Sequence, residues 1–218
     1  MTVELVTQEV KAKKESFLEF ENFLHKDDFD KITTNIQDAD LPWHWNTKTA
    51  GKVNLPNLPQ VRDCGQFVHI LHDSRQNGFS PYSQIAEIIT DALRKTLQID
   101  IDIIDRIKLN CMTPQPNWER SQFNMPHCDK HLEGGEDINY LTAIYYINDS
   151  DGPTYFFNKY WGDTFDDMDV EDYCIPKANK LILFHSTKYH TSSPPIKYDR
   201  RIVVNAVYKV KEKNGDVQ

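Results

Sequence analysis

The stretch Ile99-Asp100-Ile101-Asp102-Ile103-Ile104-Asp105-Arg106-Ile107-Lys108-Leu109 decides how the rest of the chain is read. Apolar residues at 99, 101, 103, 107 and 109 alternate with mostly polar ones, the period of two that suits a half-buried strand. Downstream, short apolar segments recur at 140–147, 154–157, 180–184 and 201–210. Turn-forming runs such as Asn148-Asp149-Ser150-Asp151-Gly152-Pro153 and Pro176-Lys177-Ala178-Asn179 separate them.

Upstream the period is helical. Ser80 as N-cap and Pro81 at the first helical position open a helix whose Ile85, Ile88, Ile89, Leu93 and Leu97 share a face. A shorter amphipathic helix is expected over 26–38, with Phe29, Ile32 and Ile36 inward. Strands are expected over 16–24 and 67–71, and 41–59 reads as a loop whose Trp43 and Trp45 pack on the core. Helices first and short strands afterwards predict a mainly β, α+β fold: a closed β-roll or sandwich with N-terminal helices outside it. No Ser/Gly-rich linker interrupts the 218 residues, so one domain over 1–218 is expected, with helical support roughly over 1–98 and a β core roughly over 99–210.

A formal net charge of -8 argues against a nucleic-acid backbone or an anionic membrane as the main partner, since both repel an acidic chain. The four cysteines, Cys64, Cys111, Cys128 and Cys174, form no Cys-x-x-Cys pair, which favours reduced thiols in a cytoplasm over a zinc knuckle or a disulfide scaffold. Residues 1–24 lack an apolar export core, and no window of about 18 apolar residues exists, so neither export nor a membrane span is expected.

His127-Cys128-Asp129 sets an imidazole and a carboxylate two residues apart, so in an extended segment both side chains point the same way and can share a metal. Alone the pattern is weak, because His25-Lys26-Asp27 matches it too. That copy falls where a strand gives way to a helix, with Asp27 as cap or first-turn acid. The second copy has a better setting: Pro126 keeps the chain extended, and a Gly134-Gly135 loop leads to the strand at 140–147. His190, beyond the strand at 180–184, offers a third ligand, with His185 as its rival. Two imidazoles and a carboxylate on one face of a ferrous ion leave the other face open. A His127/His131 helical pair is disfavoured because no Glu follows the first histidine.

A dicarboxylate that chelates iron through one end needs a planar cation at the other. On the last strand Arg201, Val203, Asn205 and Val207 share one face, and Arg200, Ile202 and Val204 the other, so only one arginine points inward. On the strand at 140–147, Tyr140, Thr142, Ile144 and Tyr146 share a face, and Tyr146 has a hydroxyl to offer.

These residues resemble the 2-oxoglutarate- and Fe(II)-dependent dioxygenases, in particular the prolyl-hydroxylase-like branch and its compact phage-encoded members. The likeness runs over about 104–210. It is carried by Pro126-His127-Cys128-Asp129, Leu141-Thr142-Ala143-Ile144-Tyr145-Tyr146-Ile147-Asn148, Gly152-Pro153-Thr154-Tyr155-Phe156-Phe157, Pro176-Lys177-Ala178-Asn179-Lys180-Leu181-Ile182-Leu183-Phe184, His190-Thr191-Ser192-Ser193-Pro194-Pro195 and Arg201-Ile202-Val203-Val204-Asn205. The resemblance implies a double-stranded β-helix (jelly-roll, cupin-like) core. It implies iron held by His127, Asp129 and His190, 2-oxoglutarate held by Arg201 with Tyr146 assisting, O2 as oxidant, ascorbate as a possible reductant, and no catalytic side chain beyond the iron centre. It implies hydroxylation of a peptide or amino acid in the cytoplasm, the host's if the chain is phage-encoded. Asn179 departs from the family's usual glycine in a left-handed turn, a conformation asparagine tolerates.

The acid-rich run 163–172, with Trp161, Asp163 and Asp166 foremost, suggests a substrate loop for a cationic peptide. A merely solvated run is the commoner outcome by about three to one. Two other classes fit less well: a cupin-type metalloenzyme without 2-oxoglutarate, and a non-catalytic β-roll.

Overall fold

The computed structural model describes residues 16–51, 55, 57–76, 80–132 and 139–211. Strands β1 (Leu18–Phe20), β2 (His44–Asn46), β3 (Gln66–Asp73), β4 (Ile101–Met112), β5 (Tyr140–Tyr146), β8 (Lys180–His185) and β10 (Arg201–Val210) form a seven-stranded sheet in the order β1-β8-β5-β10-β4-β3-β2. Strands β6 (Thr154–Tyr160), β7 (Val170–Cys174) and β9 (Lys188–Ser192) form a three-stranded sheet in the order β7-β6-β9. Every pairing is antiparallel. Helices α1 (Lys26–Ile36) and α2 (Gln84–Thr96) complete the described elements. The result is a jelly-roll core, mainly β, with helices on its outside. No described helix is long and apolar enough to cross a membrane.

Alternation along β10 divides the molecule. Ile202, Val204, Ala206, Tyr208 and Val210 join the larger apolar cluster with Ile32 and Ile36 of α1 and Ile85, Ile89 and Leu93 of α2. Val203 faces the opposite way, into a smaller cluster between the sheets with Ile144, Tyr146, Phe156, Ile182 and Phe184. β5 is divided likewise, since Leu141, Ala143 and Tyr145 belong to the helix-side cluster. Both central strands are therefore buried on both faces.

The structure corrects several expectations. The isoleucine alternation in β4 is interrupted: β10 pairs Val207 with Arg106 and then Tyr208 with Ile104, and Lys209 with Ile103 and then Val210 with Ile101. Each irregularity adds a residue to β4 and reverses the facing beyond it. Ile103 is consequently 43% exposed, while Ile107 and Leu109 are fully buried. Ile107→Ala should therefore cost about 2–4 kcal/mol in denaturant unfolding, and Ile103→Ala under about 0.5 kcal/mol.

Of the three strands of the large sheet that come from before residue 99, β1 and β3 fall where strands are expected, over 16–24 and 67–71, whereas β2 lies in a segment expected as loop. The segment expected as loop over 41–59 contributes β2, where Trp45 packs edge-on against Phe67 yet stays 53% exposed. The helix expected from Ser80 begins at Gln84. Ser80 instead caps a preceding turn, its Oγ accepting from Tyr82 N while also meeting His69 Nε2. β7 was hidden by its acids, which suit an edge strand that must not pair further. Gly134 and Gly135 lie outside the described residues. Asn179 does adopt the left-handed conformation, with φ +61°. Its side-chain amide also bonds both Leu24 N and Leu24 O at 2.9 Å and accepts from the Tyr145 hydroxyl, tying the chain before α1 to the β5–β8 pair.

Candidate metal centre

His127 and His190 face each other through a two-way backbone bridge: His127 N donates to His190 O at 2.9 Å, and His190 N donates to His127 O at 2.8 Å. His190 therefore lies within β9, a strand its polar sequence concealed. Asp129 follows two residues after His127 and is anchored by its N–H to Ser186 O at 2.9 Å. Backbone pairing thus draws together ligand atoms of His127, Asp129 and His190, all within 4.8 Å of one another. Cys128 points away into another apolar cluster with Phe123, Phe157 and Tyr189. His185 ends β8 with its Nδ1 2.6 Å from Thr187 Oγ1, outside this group. His25 of the other His-x-Asp caps α1, and Asp27 is a first-turn acid.

Hydrogen bonds prepare each side chain. His127 Nδ1 donates to Met125 O at 3.2 Å and His190 Nδ1 to Lys188 O at 3.0 Å, which leaves each Nε2 with a lone pair for a metal. Burial drives the His127 imidazolium pKa down to about 3 and also lowers that of His190, so neither ring must shed a proton at neutral pH before it can coordinate. Desolvation alone raises the pKa of Asp129, but electrostatic interaction with its neighbours, His190 and Arg106 foremost, outweighs it and holds the carboxyl below the usual range. Asp129 Oδ1 accepts from Arg106 at 2.9 Å. Its Oδ2 accepts from Thr142 and Asn205 and lies 3.5 Å from His190 Nε2, turned toward the imidazoles. Thr142→Val should weaken metal affinity about 10- to 100-fold, measured by competition with a metallochromic chelator.

Arg201 opens β10 and is 3% exposed, whereas Arg200 lies on the surface. Its Nε donates to Gly152 O at 2.9 Å and its Nη2 to Thr154 Oγ1 at 2.7 Å, and its guanidinium lies over the Tyr146 ring. No carboxylate of a described residue pairs with it. Gly152 is required here, because a Cβ would come within 2.4 Å of Ser193 O and force apart the segment that holds Arg201. Tyr146 is fully buried, with its hydroxyl 2.8 Å from Thr154 Oγ1. A narrow cavity connects Arg201 and Thr154 to His127 and His190, with Asn110, Ile144 and Asn205 along its walls. Thr154 is thus the hydroxyl nearest the guanidinium. In the sequence it opens a strand like any other residue there, with no local signal of this role.

On its other side the ligand cluster borders a second cavity of about 330 Å³, lined among others by Arg106, Lys108, His127, Asp129, Trp161 and Tyr189. Trp161 stacks on His131 with ring centroids 4.0 Å apart and donates its indole N–H to Leu132 O. Asp163 and Asp166 are not among the lining residues. The acids of 163–172 act within the small sheet: Asp163 accepts from Tyr160 N, Asp167 pairs with Lys159, and Glu171 pairs with the buried Lys188.

No protein-family model and no curated protein sequence matches the chain. Solved structures do share its fold. A prolyl hydroxylase from Trichoplax adhaerens, in complex with a hypoxia inducible factor oxygen degradation domain peptide fragment, superposes with a TM-score of 0.58 at 15% identity, over 94% of this chain and 87% of that one. A Pseudomonas putida prolyl-4-hydroxylase gives 0.52 at 14% identity, over 95% and 98%. The epimerase SnoN, in complex with Fe3+, alpha ketoglutarate and nogalamycin RO, gives 0.59 at 13% identity, over 94% and 82%.

Proposed function

We propose that the chain is a non-haem Fe(II) enzyme that couples oxidative decarboxylation of 2-oxoglutarate to hydroxylation of a C–H bond in a peptide or amino acid. The observation that carries this reading is the buried Arg201. A desolvated guanidinium without a carboxylate partner among the described residues is costly, and an external anion completes it. The cavity at Arg201 leads to two imidazoles and a carboxylate whose ligand atoms converge. Nitrogen and oxygen donors suit a ferrous ion, and the absence of thiolate from the group argues against a structural zinc site.

When bound, iron and 2-oxoglutarate supply the oxidising chemistry: O2 is consumed, 2-oxoglutarate becomes succinate and CO2, and a C–H bond becomes C–OH. His127, Asp129 and His190 hold the metal, with Thr142, Asn205 and Arg106 fixing the carboxylate. Arg201 and Thr154 receive the far carboxylate of the cosubstrate, and Tyr146 orients the Thr154 hydroxyl. Apolar side chains of Ile144 and Val203 beside this path exclude water, which strengthens each charge contact. None of these residues needs to act as an acid or base.

Anaerobic addition of Fe(II) and 2-oxoglutarate to the metal-free chain should produce a visible charge-transfer band that requires both. Metal uptake without the band would favour a cupin-type enzyme that ignores 2-oxoglutarate, and failure to bind metal would favour a non-catalytic roll. Tyr146→Phe should raise the 2-oxoglutarate concentration at half-maximal succinate formation about fivefold, the effect of one hydrogen bond of about 1 kcal/mol.

A further inference from the structure

Along the inner face of β4 the side chains of Arg106, Lys108 and Asn110 follow one another, and they divide between the two cavities. Asn110 borders the narrow one that ends at Arg201, whereas Arg106 and Lys108 border the larger one on the other side of the ligand cluster. We propose that the larger cavity receives an anionic group of the second substrate, a carboxylate or a phosphate, and that Lys108 with Arg106 forms its subsite. The proposal deepens the oxygenase reading above and rests on it.

Three observations carry it. The Lys108 ammonium makes no hydrogen bond or ion pair with any described residue, although it is partly buried. The Arg106 Nε is buried and has no hydrogen-bond partner among the described residues, while its Nη2 is committed to Asp129. Asp129 is the only acid lining the cavity among the described residues, so two cations face one carboxylate, and a divalent metal on that carboxylate would leave a surplus of positive charge. An unpartnered cation in a cavity wall is costly until an anion arrives. Burial, with Arg106 beside it, already lowers the Lys108 ammonium to about 8.

The rest of the lining fits the same substrate. Trp161 and Tyr189 give one wall flat apolar area, and the nearby acids of 163–172 are not in the lining. A cationic group would therefore meet Lys108 and Arg106 with no free carboxylate among the described lining residues to receive it. The proposed anion is also distinct from the cosubstrate's far carboxylate, because Lys108 does not border the cavity of Arg201.

The test uses acetate, inorganic phosphate and methylammonium as probes. Each is titrated calorimetrically into the full chain already saturated anaerobically with Fe(II) and 2-oxoglutarate, so that Arg201 is occupied. Acetate or phosphate should saturate and methylammonium should not. Lys108→Met should weaken the anion at least tenfold, Lys108→Arg should retain it, and the charge-transfer band should persist in both. Anion heats that never saturate, or that are unchanged in Lys108→Met, would overturn the subsite. So would a Lys108→Met variant that loses affinity for 2-oxoglutarate itself, since Lys108 would then be a cosubstrate anchor. A wild-type chain without the band would refute the iron reading and the subsite with it, whereas a normal band without anion saturation refutes the subsite alone.

Discussion

Asp129→Asn should lower succinate formation by about 10³-fold or more, because it removes the one carboxylate of the proposed ligand set, and such a metal site contributes several kcal/mol of charge stabilisation. The reasoning rests on position. Asp129 Oδ2 faces the Nε2 of His190, while Oδ1 is tethered by Arg106. Asparagine retains the shape but sets an NH2 donor where one carboxylate oxygen accepted, so the metal-free chain should stay folded with a loss of about 1–3 kcal/mol. The two imidazoles alone hold a ferrous ion weakly, and the variant should bind substoichiometric iron and show no charge-transfer band. Iron content by elemental analysis and denaturant unfolding of the metal-free form separate the two effects. Full iron occupancy with undiminished succinate formation would remove Asp129 from the ligand set.

Arg201→Met should keep the iron and lose the cosubstrate. Truncating one partner of a desolvated charge pair costs about 2–5 kcal/mol, here about 30- to 4 × 10³-fold in 2-oxoglutarate affinity. Methionine preserves much of the volume against Tyr146, and the principal structural loss is the donor to Gly152 O, about 1 kcal/mol. Arg200→Met, on the exposed side of the same doublet, should change the affinity less than about twofold. Equal effects at both positions would remove the distinction that β10 makes between them.

Strand alternation made much of this arrangement legible in the sequence. The shared face of Arg201 and Asn205 follows from the period of β10, with the choice of Arg201 over Arg200 supplied by the resemblance, and the shared face of Thr142, Ile144 and Tyr146 follows from the period of β5. A closed β-roll or sandwich followed from the order of short strands after Ile99, and its jelly-roll form from the resemblance. Irregular pairing was not legible: the extra residues in β4 that expose Ile103 depend on how β10 lies against it, a fact of two strands that neither contains alone. Nor were β7 and β9, because acids and lysines masked them, and their charges are matched only across the small sheet, as Glu171 is with Lys188. Thr154 and Arg106 carry no signal of their roles in the sequence for a similar reason. Their roles come from what tertiary packing places opposite them.

The two-sided burial of β10 also bears on how this chain can change. Odd-numbered positions from 201 to 205 face the site, and even-numbered positions from 202 to 210 face the helices, so the strand offers almost no neutral residue. A one-residue insertion there would exchange the two sets and send a guanidinium into the apolar cluster. The larger cavity, by contrast, takes Thr49, His131 and Trp161 from segments between strands, where length and composition drift at little cost to the core. Tolerance is therefore unevenly distributed: Arg201 is locked into the scaffold, whereas much of the rim of the larger cavity is free to diverge.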